Sequence, residues 1–249
     1  MLLLQSMTYR EMFDEIAADY QKIKIRISKM HPRVVKIFKR SKKFPNWYVD
    51  EYKIPATNNH YIIFYYAGNI NKTEQPHYTV FCITFNENQR FVINPLQVPY
   101  KHTPYSEIIN MPQLHVYTSH FFRRYNERFL HKKELTANEI AGLYFIRNRR
   151  RHVPIDMNEE INRNFKKYGK FNDKAMRVPD GLCFTRFIYE CKVNSNDTQE
   201  NEKPDANLVL YTTFINESDM SNSQRDAIDK EHFETFKRFM EEMGQMNLH

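Results

Sequence analysis

Between Thr8 and Ser41, Phe13, Ile16, Tyr20, Ile23, Ile27, Met30, Val34 and Ile37 recur at alternating steps of three and four, and after Lys43 that period stops. Such spacing lays one apolar stripe along a helix, so the segment predicts a helix packed along a single seam. Pro32 lies inside the stripe and removes a backbone donor, which predicts a kink or a second helix with Pro32 near its start. Past Lys43 the apolar residues come as short aromatic and β-branched runs: His60 to Tyr66, Tyr78 to Phe85, Arg90 to Ile93 and Leu114 to Thr118. These read as strands, and the turn-like stretches Gly68 to Gln75 and Asn86 to Gln89 make them an antiparallel meander.

Four prolines from Pro95 to Pro112 predict a connector, dividing a helical and β-meander part, 1–112, from a part spanning 113–249. The second part opens with a strand that runs directly into a helix, with Ser119 placed to cap it. Thr136-Ala137-Asn138-Glu139 has capping-box spacing and starts a second helix that reaches about Asn148. Lys166 to Lys174 is polar and reads as loop. Gly181 to Cys191, opening at the turn signal Asp180-Gly181, and Leu208 to Ile215 read as strands. An acidic amphipathic helix from about Ser223 to Met243 follows, with Ile228, Phe233, Phe236 and Met240 as packing positions. The fold class is α+β: long N-terminal helices and a meander, then a compact helix-helix-antiparallel sheet domain and a C-terminal helix.

The composition supplies a core, since 249 residues with nineteen Phe and sixteen Tyr against five Gly do not describe a disordered chain. Apolar runs such as Tyr61 to Ala67 are too short to span a bilayer, and Met1-Leu2-Leu3-Leu4 lacks the basic flank and cleavage site of a leader. Cys82, Cys183 and Cys191 have no metal-binding spacing and suit a reducing compartment, so a cytoplasmic location is expected. Charge is unevenly spread. Gln21 to Lys43 holds ten Lys or Arg and no acid, whereas from Ser195 onward twelve acids face five bases. The two runs should attract each other; a free basic surface, including Lys36, Lys39, Arg40, Lys42 and Lys43, could instead meet a polyanion such as RNA, DNA or an anionic membrane. A solvated helix face is the plainer account of such a run.

The richest chemistry falls on the helix that starts at His120. At 100° per residue, His120, Arg124, Glu127, Arg128 and His131 share a sector about 100° wide, and Phe121, Phe122, Tyr125 and Phe129 fall on the other side. One face is core; the other presents imidazoles, guanidiniums and a carboxylate. Cleavage of RNA without a metal needs a group to take the 2′-hydroxyl proton, a group to protonate the leaving 5′-oxygen and fixed cations to hold the phosphorane. Histidine titrates in the required range, and arginine grips phosphate through two donors at once. The helix start adds partial positive charge near His120. The competing account is a solvated face of i,i+4 pairs, in which Arg124 and Arg128 repel unless an anion lies between them.

The run Tyr117-Thr118-Ser119-His120-Phe121-Phe122-Arg123-Arg124-Tyr125-Asn126-Glu127-Arg128 resembles the "T-x-His-x-x-x-Arg-x-x-x-Arg" helix of the barnase, EndoU, colicin and RelE-like nuclease superfamily, especially its BrnT-like and phage-associated members. The resemblance covers about residues 114–219. It implies a ribonuclease-like α+β domain in which His120, Arg124 and Arg128 are catalytic and Thr213, or Thr212, supplies a hydroxyl from a late strand facing the same cleft. It further implies a toxin or phage-conflict hydrolase acting on RNA and restrained by an antitoxin or inhibitor protein. Where those relatives carry Gly and a compact turn after the second Arg, Phe129-Leu130-His131-Lys132-Lys133 intervenes here.

Arg147-Asn148-Arg149-Arg150-Arg151-His152 is similar to the "Arg-polar-x-x-x-His" signature of HEPN ribonucleases, but those are helical bundles, and the surrounding strand-rich sequence argues against that fold. Arg147, Arg149 and Arg150 are therefore expected to contact phosphate or solvent. No HExxH, paired Cys or dense carboxylate cluster predicts a metal, and no Gly-rich phosphate loop or nucleophile elbow is present, so no cofactor is expected. The other function class is a non-enzymatic module that binds nucleic acid or an acidic protein through the basic helix 21–43.

Overall fold

A computed structural model of the protein describes residues 6–100, 107–149, 153–156, 174–191 and 204–246. The fold is mixed α+β, a mostly antiparallel sheet of nine strands with helices on both faces. Helix α1 (Tyr9–Arg40) starts at a complete capping box, with Thr8 accepting from the Glu11 amide and the Glu11 carboxylate accepting from that of Thr8. It runs without interruption through Pro32, where the sequence predicts a kink or a break. The stripe holds along most of its length, with Phe13, Ile16, Ile23, Met30, Val34 and Phe38 buried. At one turn Asp19 faces the sheet and Tyr20 is 52% exposed, the reverse of what hydropathy predicts.

Strands β1 (Asn46–Lys53), β2 (His60–Ala67), β3 (His77–Asn86), β4 (Gln89–Tyr100) and β5 (Ile109–Thr118) form the meander. Of the expected connector, 95–100 and 109–112 are strand instead: Pro95 lies opposite Leu114, Gln97 opposite Pro112 and Pro99 opposite Asn110 where β4 pairs with β5, and 101–106 lie outside the described residues. From β5 the chain enters α2 (Ser119–Tyr125), a π-turn (Asn126–Leu130) and α3 (Ala137–Arg147), then crosses to the far edge. There β6 (Val153–Asp156), β7 (Lys174–Val178), β8 (Gly181–Cys191) and β9 (Pro204–Ile215) return inward, and β9 docks parallel to β5. The order β1-β2-β3-β4-β5-β9-β8-β7-β6 thus makes one sheet across residue 112. Helix α4 (Asn222–Met246) follows β9.

Alternation along the strands separates two apolar layers. Tyr61, Ile63, Tyr65, Cys82, Leu114 and Val116 meet α1, while Ile62, Phe64, Phe81, Tyr117 and Tyr211 meet α2 and α3. At the other end of the sheet, Ile155, Ala175, Leu182, Phe184 and Ile215 pack with Ile228 of α4. Phe233, expected to pack, is 64% exposed; the side chains of Phe236 and Met240 lie outside the description. Every residue of α3 from Ile140 to Ile146 is buried, and the helix lies so close to β2 that a Cβ on Gly142 would fall 2.2 Å from the Phe64 ring. No helix among the described residues is long and apolar enough to cross a membrane.

Candidate functional site

Helix α2 begins where β5 ends, beside β9, its parallel partner. Its cap is Thr118, not Ser119: the Thr118 hydroxyl accepts from the Phe121 amide and reaches the Tyr211 and Thr212 carbonyls. The parallel β5–β9 pairing ends there at Tyr117 and Tyr211, and on its other side β9 bulges, Tyr211 pairing with Thr185 and Thr213 with Phe184 so that Thr212 has no opposite residue. The Ser119 hydroxyl instead donates to the Arg90 carbonyl. On its inner side α2 buries Phe121, Phe122 and Tyr125, with Phe121 edge-on to Tyr144 and Tyr211 and Tyr125 edge-on to Phe214. The two-faced helix expected from the sequence is present, although its α-helical part is seven residues long and its dipole correspondingly small.

The outward side holds the charged set. His120 Nδ1 lies 2.8 Å from Arg123 Nη2, and Arg124 Nη1 lies 2.9 Å from Glu127 Oε2. Partial desolvation of the exposed ring, then repulsion by Arg123, Arg124 and Arg128, pulls the His120 pKa below the ordinary histidine value, and Glu127 opposes this only in part. His120 is therefore neutral at neutral pH. The π-turn widens the helix after Tyr125, ends at His131 in the left-handed region (φ 54°) and is clasped by Asn126, whose amide group bonds both the Lys132 carbonyl and its amide. Through this turn Arg128 reaches the sheet: its guanidinium donates to the Phe214 carbonyl at 2.6 Å, and Asn216 donates to the Arg128 carbonyl. One Arg128 donor group is thus spent on the fold.

Of the expected catalytic set, His120 and Arg124 lie on the outer side of α2 with Arg123 and Glu127 beside them, while Arg128, whose charge also acts on His120, is turned to the Phe214 carbonyl. Thr213 is a correction. It sits opposite Phe184, whose ring belongs to the layer beneath α4, whereas its neighbour Phe214 packs under α2. Cross-strand partners share a face, so the Thr213 side chain stands on the face away from His120. Thr212, in the bulge, directs its hydroxyl to the Phe184 carbonyl.

The expected phosphate contacts divide. Arg147 grips Asp180 through Nε and Nη2, both at 2.9 Å, and lies over the Phe129 ring, so its charge is committed to a carboxylate that also accepts from Tyr125 and Asn148. The network ties α2 and α3 to the β7–β8 turn. Arg149 is exposed, and Arg150 lies outside the described residues, as do Arg151 and His152. On α1, Lys39 pairs with Glu74, Arg26 forks onto buried Asp50 and Lys22 meets Asp19, while Lys36 and Arg40, and Lys42 and Lys43 just past its end, are exposed. Those cations belong to the opposite face of the sheet from α2 and form no common site with His120. Arg123 and Glu127 stood in the sequence as an i,i+4 pair; only side-chain geometry shows Arg123 against the imidazole.

Among the described residues no three His, Cys, Asp or Glu side chains come together as a metal-binding group. Comparison with known proteins gave no matching family model, no matching curated protein and no matching solved structure.

Proposed function

We propose that the protein is a ribonuclease-like hydrolase of toxin or phage-conflict type that cleaves RNA without a metal at the outer face of α2. The observation that carries this reading is an imidazole in contact with Arg123, and under the charges of Arg124 and Arg128, where the parallel pair β5–β9 ends. A neutral His120 can take the 2′-hydroxyl proton, and Arg124 with the remaining Arg128 donors can hold the scissile phosphate and the charge that grows on it. The resemblance of the Thr118-to-Arg128 run to a nuclease helix points the same way. In this reading the protein acts in the cytoplasm, and an inhibitor protein would shield a cationic face of this kind.

The test is cleavage of total RNA by purified protein in excess EDTA, with His120→Ala and Arg124→Ala alongside. Wild type should cleave, and His120→Ala should lose about 10²- to 10⁴-fold in rate with unchanged circular dichroism. Because the free protein's His120 must be neutral, the rate should rise with pH through a midpoint below that of ordinary histidine. Intact RNA in the wild-type lane, or cleavage indifferent to His120, would sink the proposal.

A second reading rests on the exposed cations Lys36, Arg40, Lys42 and Lys43: a binding module for nucleic acid or an acidic protein on the α1 face. It expects intact RNA, binding that falls steeply with salt, and loss of that binding when these charges are reversed.

A further inference from the structure

We infer that Arg123 is a positioning residue: it locks His120 into the tautomer with its proton on Nε2 and withdraws when a phosphate group arrives. A guanidinium has donors and no acceptor, so the 2.8 Å approach of Arg123 Nη2 to Nδ1 requires Nδ1 to be the unprotonated nitrogen. The lone pair that would take a proton is thereby occupied. On its other side Arg123 Nε lies 3.9 Å from Glu127 Oε1, and the second oxygen of that carboxylate holds Arg124. Glu127 thus spans two guanidiniums as the two free oxygens of a phosphodiester would. Arg123 and Glu127 are 64% and 47% exposed, and exposed pairs of this kind are weak, so neither is fixed by packing. The further charges acting on His120 are those of Arg124 and Arg128.

The next step rests on the ribonuclease reading of α2. A phosphodiester offers Arg123 and Arg124 a stronger forked contact than Glu127 does, and as Arg123 turns to it Nδ1 is released. The imidazole then takes the 2′-hydroxyl proton at Nδ1 and keeps its own on Nε2. The O2′ electron pair closes on phosphorus as the P–O5′ bond opens, and the leaving oxygen takes a proton from water. Base strength is withheld until substrate binds.

Nitrogen-15 NMR of the His120 ring across a pH titration tests this, with and without inorganic phosphate, in wild type and in Arg123→Ala. Wild type without phosphate should show protonated Nε2, bare Nδ1 and a depressed midpoint, and phosphate should raise the midpoint. Arg123→Ala should raise the midpoint and mix the tautomers with no phosphate present. Identical tautomers and midpoints in the two proteins would overturn the lock, and a wild-type midpoint indifferent to phosphate would overturn its release. The readout is independent of cleavage: an Arg123-dependent tautomer in a protein that leaves RNA intact refutes the ribonuclease reading and keeps the lock.

Discussion

Asp19 carries four donors on one carboxylate: Lys22 on Oδ1, and Thr57, Asn59 and Tyr61 on Oδ2. Burial alone would raise its pKa, but the hydrogen bonds from Asn59, Thr57, Lys22 and Tyr61 outweigh it and hold the carboxyl below the ordinary aspartate value. The unfolded chain therefore takes up this proton at a higher pH than the folded one. The resulting stability is present above the unfolded pKa and lost as pH falls through the folded one. Asp19→Asn should cost about 1–3 kcal/mol at pH 7 in urea unfolding, and the cost should shrink toward pH 3. A cost independent of pH would show that the charge plays no part. Asp180 is the corresponding hub across the sheet. Tyr125→Phe removes one of its donors and should cost about 1 kcal/mol, with Arg147 and Asn148 still holding the carboxylate.

Gly142 shows how an element's place in the fold can oppose its propensity. In an isolated helix Gly→Ala gains about 1 kcal/mol, but at this position a methyl group would fall within the Phe64 ring, where overpacking costs about 1–3 kcal/mol. The contact should win, so Gly142→Ala should lower the midpoint of thermal unfolding; a rise would mean that α3 can move off β2 freely. The same contrast explains what the sequence made legible. The α1 stripe, the Thr136 capping box and the β2, β3, β8 and β9 runs follow from period and turn chemistry local to each segment. Strand β1 was missed because Asn46 to Lys53 interleaves charged and aromatic residues without a clean alternation. Strands β4 and β5 were cut short because Pro95, Pro99 and Pro112 weigh against strand locally, while the long pairing that accommodates them is a property of the two strands together. Within the site, a 3.6-residue period places His120 and Arg124 on one face of α2, whereas Arg128 falls in the π-turn, outside that period, and reaches the Phe214 carbonyl. The face taken by Thr213 depended on a bulge in β9, and the commitment of Arg147 depended on Asp180, 33 residues away in the chain.

At the level of the molecule, the sheet decides whether the chain behaves as two parts or one. Strand β5 pairs with β4 over ten residues and with β9 over five, so the segment after residue 112 shares its central strand pairing with the segment before it. Trp47, the one tryptophan of the chain, stands on β1 and donates its indole N–H to Glu139 of α3, with the Lys132 ammonium over its ring. A fluorophore in the first strand thus reports on packing against helices from the second half. If the two halves fold as one unit, Trp47 fluorescence and far-ultraviolet circular dichroism should trace the same urea transition, with one midpoint and one slope. Separate midpoints would mean that the β5–β9 seam yields before the meander does, and the α2 face would then be the less stable part of the molecule. Residues 113–249 expressed alone should fail to give a cooperative transition, because without β4 what remains of the strand that launches α2, Gln113 to Thr118, becomes an exposed edge and loses its pairing to Leu96–Phe91. Coincident curves for the whole chain together with a cooperative 113–249 fragment would show that the seam adds contact without adding dependence.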